Sequence, residues 1–149
     1  MAKVYLDACC LNRPFDDQSQ DRIHLEAEAV LLILTHVESG RWQWIGSEAL
    51  SYEIRQTPDA ERRQRVGLLT TAVSHTVLIE AAEEARARQL EVAGFHALDA
   101  LHLACAESGA ADVLLTTDDR FVRLAVRASI GLRIQVVNPL TWLQEKTAS

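Results

Sequence analysis

The chain has 149 residues, 48% of them hydrophobic and 24% charged, a globular composition with enough apolar content for a core, which excludes disorder. Its formal net charge of −6 argues against a surface covered in phosphate-binding cations, although of its 15 basic residues all but Lys3 and Lys146 are arginine, the better phosphate ligand. The three cysteines, Cys9, Cys10 and Cys105, show no CxxC spacing and exclude a disulfide framework or a zinc site; with no apolar run of membrane-spanning length, the expectation is a soluble, cytoplasmic protein with no membrane partner.

KVYL, at 3–6, reads as a short buried strand, and a loop is expected after Asp7. A helix is expected over 22–39, with an apolar stripe of Ile23, Ala27, Val30, Leu31, Leu34 and Val37 and Gly40 as its stop. WQWI, at 42–45, is a second strand, and Ser47 an N-cap for a helix over EALSYEIR that ends before Pro58. A helix from Asp59 to about Thr71 precedes the strand HTVLI at 75–79. Two helices follow, EAAEEARARQLEVA closed by Gly94 and FHALDALHLACAES closed by Gly109. The strand DVLLTT, the helix DRFVRLAVRA, the strand RIQVVN and the helix PLTWLQEK, with Pro139 in its first turn, complete the chain. Helices alternate with short apolar strands that do not alternate polar and apolar residues. That pattern predicts one α/β domain over 1–149, a mostly parallel sheet of about five strands with helices on both faces.

In such sheets the chemistry lies at the carboxyl ends of the strands, where Asp7, Thr117 and Asp118 stand. Asp99 stands in an apolar helix, where an isolated buried charge is costly; its ordinary reading is an N-cap or a partly exposed first-turn position. Glu53 reads on pattern alone as a solvated helix residue paired with Arg55 or Arg63. Four carboxylates brought together repel and raise each other's pKa, and a divalent cation is what makes such a set tolerable. Hard oxygen ligands suit Mg²⁺ or Mn²⁺, which activate water and stabilise charge on phosphate.

LDACCLNRPF, SEALSYEI and LDALHLACAESGAADVLLTTDDRF, in that order and spacing, resemble the PIN domain family over nearly the whole chain. The resemblance implies a three-layer α/β/α sandwich and a metal-dependent ribonuclease. Many small members are toxins of the VapC type, held by a cognate antitoxin and often homodimeric. Carried over by motif, Asp7, Glu53, Asp99 and Asp118 are the four metal-holding acids, and Thr116 is the hydroxyl of the Thr-x-Asp motif. Asp119 either holds an outer-shell water or opens the following helix, where an acid suits the helix dipole. Asn12, Arg13 and Arg22 are candidates to grip substrate phosphate, Arg13 with the better claim. The chain departs from the pattern at Ala8, where many members carry Thr or Ser, and Glu48 competes with Glu53 for the second acid; Glu53 stands in the Glu-Ile pair that best matches the motif.

Other residues have plainer readings. Cys9 and Cys10 read as small buried hydrophobes rather than nucleophiles. His102 shares a helix face with Asp99 and reads first as a packed or rim histidine, second as a residue orienting Asp99 or touching substrate. Trp42 and Trp44 read as core or dimer packing before base stacking, and the ERRQR run at 61–65 as a solvated helix face before an RNA contact. Phosphoryl transfer through an aspartyl phosphate is disfavoured: Cys9 stands where a DxD motif needs its second acid, and no lysine is well placed. The two functions carried forward are a Mg²⁺- or Mn²⁺-dependent endoribonuclease, as the toxin of a toxin–antitoxin pair, and a non-catalytic PIN-like module binding RNA or protein.

Overall fold

A computed structural model describes residues 1–128 and 130–147. Five strands, β1 (Lys3–Leu6), β2 (Gln43–Ser47), β3 (His75–Val77), β4 (Val113–Leu115) and β5 (Gln135–Val137), form one sheet in the order β3-β2-β1-β4-β5. Every neighbouring pair is parallel, with Val4 opposite Trp44 on one side and Val113 on the other. The helices are α1 (Ala8–Asn12), α2 (Asp21–Glu38), α3 (Glu48–Arg55), α4 (Ala60–Leu69), α5 (Ala81–Val92), α6 (Ala97–Ser108), α7 (Asp119–Arg127) and α8 (Pro139–Thr147). Among the described residues no helix is long and apolar enough to cross a membrane.

Strand geometry explains the two cores. Successive side chains point to opposite faces, so β1 sends Val4 and Leu6 to one side and Tyr5 to the other. The first side meets Ile33 and Val30 of α2, Leu50 of α3 and Trp142 of α8; the second meets Leu90 of α5 and Leu103 of α6. Both faces are buried, which is why the strands read as continuous apolar runs. This is the three-layer α/β/α arrangement with a wholly parallel sheet. Close approach is bought at Gly109, where a Cβ would stand 2.6 Å from Ile45 and 2.8 Å from Val77 and would force the end of α6 off the sheet.

The structure revises the sequence-based expectations at α1, on α2 and in the bounds of β2, and it bears out the core reading of the two tryptophans and the solvated face of the 61–65 run. The segment after Asp7 is not a loop but α1, followed by a 3₁₀ turn over Arg13–Phe15, because the Asp7 side chain caps the Ala8 N–H and Cys10 and Leu11 pack into the core. On α2, Ala27, Val30, Leu34 and Val37 of the expected stripe are buried, but Leu31 is 47% exposed and Ile33 and the charged Glu26 join the buried face instead. β2 starts and ends later than WQWI. Trp42, just outside it, stacks edge-on against Trp142 at 4.8 Å, and Trp44 is fully buried, so both tryptophans are core residues and neither is available to a base. In the 61–65 run, Arg62 pairs with Asp16, Arg63 donates to the Thr57 carbonyl and Arg65 pairs with Glu61.

Candidate metal centre

The sheet order reverses direction beside β1, between β2 on one side and β4 on the other, and this switch point is where a parallel sheet opens a crevice at its strand ends. Asp7 follows β1 directly, its backbone N–H still bonded to the Leu115 carbonyl of β4 at 3.0 Å. Its Oδ1 accepts from Ala8 N–H at 2.8 Å and its Oδ2 from the Thr116 hydroxyl at 3.0 Å. The Thr116 oxygen in turn accepts from the Asp118 N–H at 3.1 Å. One hydroxyl thus joins the first and fourth acids across adjacent strands. Asp118 caps α7 through Oδ1, which accepts from Arg120 N–H at 3.0 Å and Phe121 N–H at 3.4 Å.

Glu53 reaches the same point from the middle of α3. Ser47 fixes that helix, its hydroxyl accepting the Leu50 N–H. Carboxylate oxygens of Asp7 and Glu53 and a ring nitrogen of His102 all lie within 4.8 Å of one another. Glu48, the competing acid, is turned away and accepts the Ile79 N–H at 2.7 Å. Asp99 occupies the first turn of α6, one turn before His102, and lines a cavity together with Asp118. Burial and the charges of Asp7 and Asp118 push its carboxyl up to about 6. Asp7 is raised as well, chiefly by burial, with Glu53 adding to the shift.

His102 is fully buried. Its Nε2 lies 2.7 Å from Glu53 Oε1, and its Nδ1 lies 2.6 Å from the Tyr5 hydroxyl, itself 2.6 Å from Ser47 Oγ. One assignment of protons satisfies every member: Ser47 donates to Tyr5, Tyr5 to Nδ1, and Nε2–H to Glu53. Burial acts to lower the imidazole's pKa, but the bond to Glu53 and the charges of Asp7, Glu53 and Asp99 outweigh it and the net direction is up. The packed-histidine reading is therefore right about burial and misses the acid contact. Tyr5 escapes sequence reasoning, since a lone tyrosine in an apolar strand carries no signal, and Ser47 reads there only as an N-cap and not as a partner of Tyr5.

The remaining candidates stand nearby but engaged. Arg13 Nε bonds Glu26 at 2.8 Å and its Nη1 bonds Asp16 at 3.0 Å. Arg22 grips both oxygens of Asp119, at 2.7 and 2.8 Å, and also reaches Glu26. Asp119 is the first residue of α7, so the helix-opening reading describes its position and Arg22 holds its carboxylate. Asn12 donates to the Ala8 carbonyl. Cys9 Sγ lies 3.5 Å from Asp7 Oδ2 and 3.3 Å from the Thr116 hydroxyl, on the rim of the acid set. Glu26, 1% exposed and shared by Arg13, Arg22 and Asn138, is the buried acid that the sequence did not reveal.

The donor set fits a divalent cation: the facing atoms are carboxylate oxygens of Asp7 and Glu53 and a ring nitrogen of His102, and Asp99 nearby is raised by burial first and by the charges of Asp7 and Asp118 second. The family model described as PIN domain matches residues 4–127. The chain belongs to the PIN domain family. Its members are generally nucleases. This PIN domain is similar in fold to FitAcB from Neisseria gonorrhoeae, with a TM-score of 0.60 and 14% identity over 91% of this chain and 97% of that one. It is also similar to VapBC2 from Rickettsia felis bound to a promoter DNA fragment, with a TM-score of 0.56 and 14% identity over 91% and 98%. A third likeness is to FitAB bound to an IR36 DNA fragment, with a TM-score of 0.56 and 17% identity over 92% and 95%. No curated protein sequence matches the chain.

Proposed function

We propose that this PIN domain is a metal-dependent endoribonuclease, acting as one unit and serving as the toxin of a toxin–antitoxin pair in the cytoplasm. The observation that carries the reading is the meeting of Asp7, Glu53 and His102 within 4.8 Å at the switch point, with Asp99 and Asp118 lining the adjacent cavity and Asp99 raised to about 6 by burial and by the charges of Asp7 and Asp118. Holding such repulsion has little purpose without a cation to relieve it.

In this reading the four carboxylates hold Mg²⁺ or Mn²⁺. When bound, the ion supplies Lewis-acid stabilisation of the phosphate and lowers the pKa of water. The chain's own residues do the positioning. Thr116 fixes the rotation of Asp7 and ties it to the backbone of Asp118. His102, braced by Tyr5 and Ser47, fixes Glu53. The missing hydroxyl at Ala8 is offset because Asp7 keeps three donors, Ala8 N–H, Thr116 and Cys9. Asn12, Arg13 and Arg22 are the candidates to meet a phosphate, for which Arg22 must leave Asp119. Asp119 then becomes free to hold an outer-shell water.

The partners follow from the same reading. FitAB and VapBC2 are names of toxin–antitoxin pairs, and a partner offering arginine or lysine would satisfy the acids electrostatically. Leu25, Leu31 and Leu32, each more than 40% exposed on α2, offer apolar surface to a second copy of the chain. The test is cleavage of a mixed structured RNA in Mg²⁺, in Mn²⁺ and in EDTA, beside Asp7→Asn and Asp99→Asn. Cleavage that needs metal and disappears in both variants supports the reading. No cleavage and no metal binding leave the non-catalytic binding module.

A further inference from the structure

The acids open on one side into a cavity of about 470 Å³, and α7 forms its far wall. Arg120, Arg123 and Arg127 line it together, with His96 opposite. Their spacing of three and four residues puts the three guanidinium groups on one helix face over two turns. All three are exposed, and among the described residues none makes an ion pair, although Arg123 lends a coulombic pull to Asp119. Acidic residues outnumber basic ones 21 to 15, and Arg13, Arg22, Arg62, Arg65 and Arg86 each pair with a carboxylate. Arg41, Arg55, Arg63, Arg88 and Arg133 also lack an ion pair among the described residues; Arg120, Arg123 and Arg127 differ from them in lining one cavity together with Asp99 and Asp118.

The floor suits an extended chain. Phe121 is buried beneath the arginines and Leu124 stands beside it. Gly94, at φ +114°, lines the cavity beside Leu124 in a backbone conformation that favours glycine. A cationic groove with an exposed aromatic ring on its wall, here His96, is the general form of a single-strand nucleic-acid site.

We propose that this groove seats the single-stranded RNA flanking the cleaved bond, Arg120, Arg123 and Arg127 taking its phosphates and His96 stacking on a base. The proposal rests on the nuclease reading. An acidic polypeptide is the other polyanion that arginines attract. It is disfavoured because, on the nuclease reading, a strand whose scissile phosphate lies at the cation-holding acids extends into the cavity that Asp99 and Asp118 share with the arginines, whereas an acidic polypeptide has nothing to bring it to those acids.

The experiment uses the full chain and a labelled unstructured RNA of mixed sequence. Binding is read by anisotropy in EDTA over a range of salt, and cleavage in Mn²⁺. In the triple variant R120Q/R123Q/R127Q, affinity falls roughly 10–100-fold. The slope of log affinity against log salt shrinks by about 2, at about 0.7 per phosphate contact on a single strand. KM rises while kcat at saturating RNA holds, and the melting temperature is unchanged because the side chains are exposed. An unchanged slope and affinity, with RNA still bound and cut, overturns the groove and leaves the nuclease. A native protein that neither binds nor cuts the RNA overturns both. Labelled polyglutamate that binds the native chain and not the variant, while RNA affinity stays the same, assigns the groove to an acidic protein and overturns the proposal.

Discussion

The Nε2 of His102 lies 2.7 Å from Glu53 and 3.7 Å from Asp7, so one buried imidazole bridges carboxylates from α3 and from the end of β1. Partners of this kind hold metal ligands in place, and their loss costs roughly 10–100-fold in metal affinity or activity. His102→Gln is expected to weaken Mn²⁺ binding by that factor in a calorimetric titration. Tyr5→Phe, which keeps the ring and removes only the brace on Nδ1, is expected to cost less. Unchanged Mn²⁺ affinity in His102→Gln would show that Glu53 needs no positioning.

Thr116 is expected to behave as a hinge pin between Asp7 and Asp118. Thr116→Val conserves the shape but removes the hydroxyl, which donates to one acid and accepts from the backbone of the other. The loss in stability is about 1–3 kcal/mol, the cost of leaving buried polar groups without a partner. Thr116→Ser should restore most of it. Urea unfolding of the three proteins checks this, and equal midpoints for Val and Ser would contradict it.

Asp99 gives the acid set a signed pH dependence. Its folded carboxyl lies at about 6 against an ordinary value of 3.8, so between those values the folded chain holds more protons than the unfolded one. Stability is therefore highest below that window and falls as pH rises through it. The contribution is about 3 kcal/mol before solvent screening of a half-buried group is allowed for, and about 1–2 kcal/mol after it. In EDTA, Asp99→Asn should melt above the native protein at pH 7.5, the gap closing towards pH 4. Mn²⁺ should reverse the order by stabilising the native chain alone. Melting curves from pH 4 to 8 measure both effects, and a variant less stable than the native chain in EDTA would refute the cost of a charged Asp99 that burial and its acidic neighbours impose.

Glu26 is expected to be structural. It is 1% exposed and holds Arg13, Arg22 and Asn138 around one carboxylate. Removing one partner of a buried ion pair costs roughly 3–5 kcal/mol. Glu26→Ala should lose that much in urea unfolding, against a small loss for Glu61→Ala, whose pair with Arg65 is exposed.

Much of this was legible because local signals and burial agree. Ser47 is an N-cap in the sequence and in the structure, and the strand β4 with its Thr-x-Asp end follows from an apolar run at a sheet's carboxyl edge. Helix α1 was not legible, because five residues have no measurable period and what stabilises them is the Asp7 cap and distant packing. Glu26 looked like any polar position on an amphipathic helix, since its partners come from residues up to 112 positions away. The arginines of α7 were read only as part of a helix. Their grouping in one cavity depends on α6 and Gly94, which the local pattern does not bring to them.

The central claim is that the four acids share a divalent cation, and a Mn²⁺ titration tests it without knowing which RNA is cut. Calorimetry at pH 7.5 should show saturable Mn²⁺ binding to the native chain, proton release on binding, and at least a tenfold loss of affinity in both Asp7→Asn and Asp99→Asn. No saturable Mn²⁺ binding, or binding indifferent to both substitutions, would contradict the account.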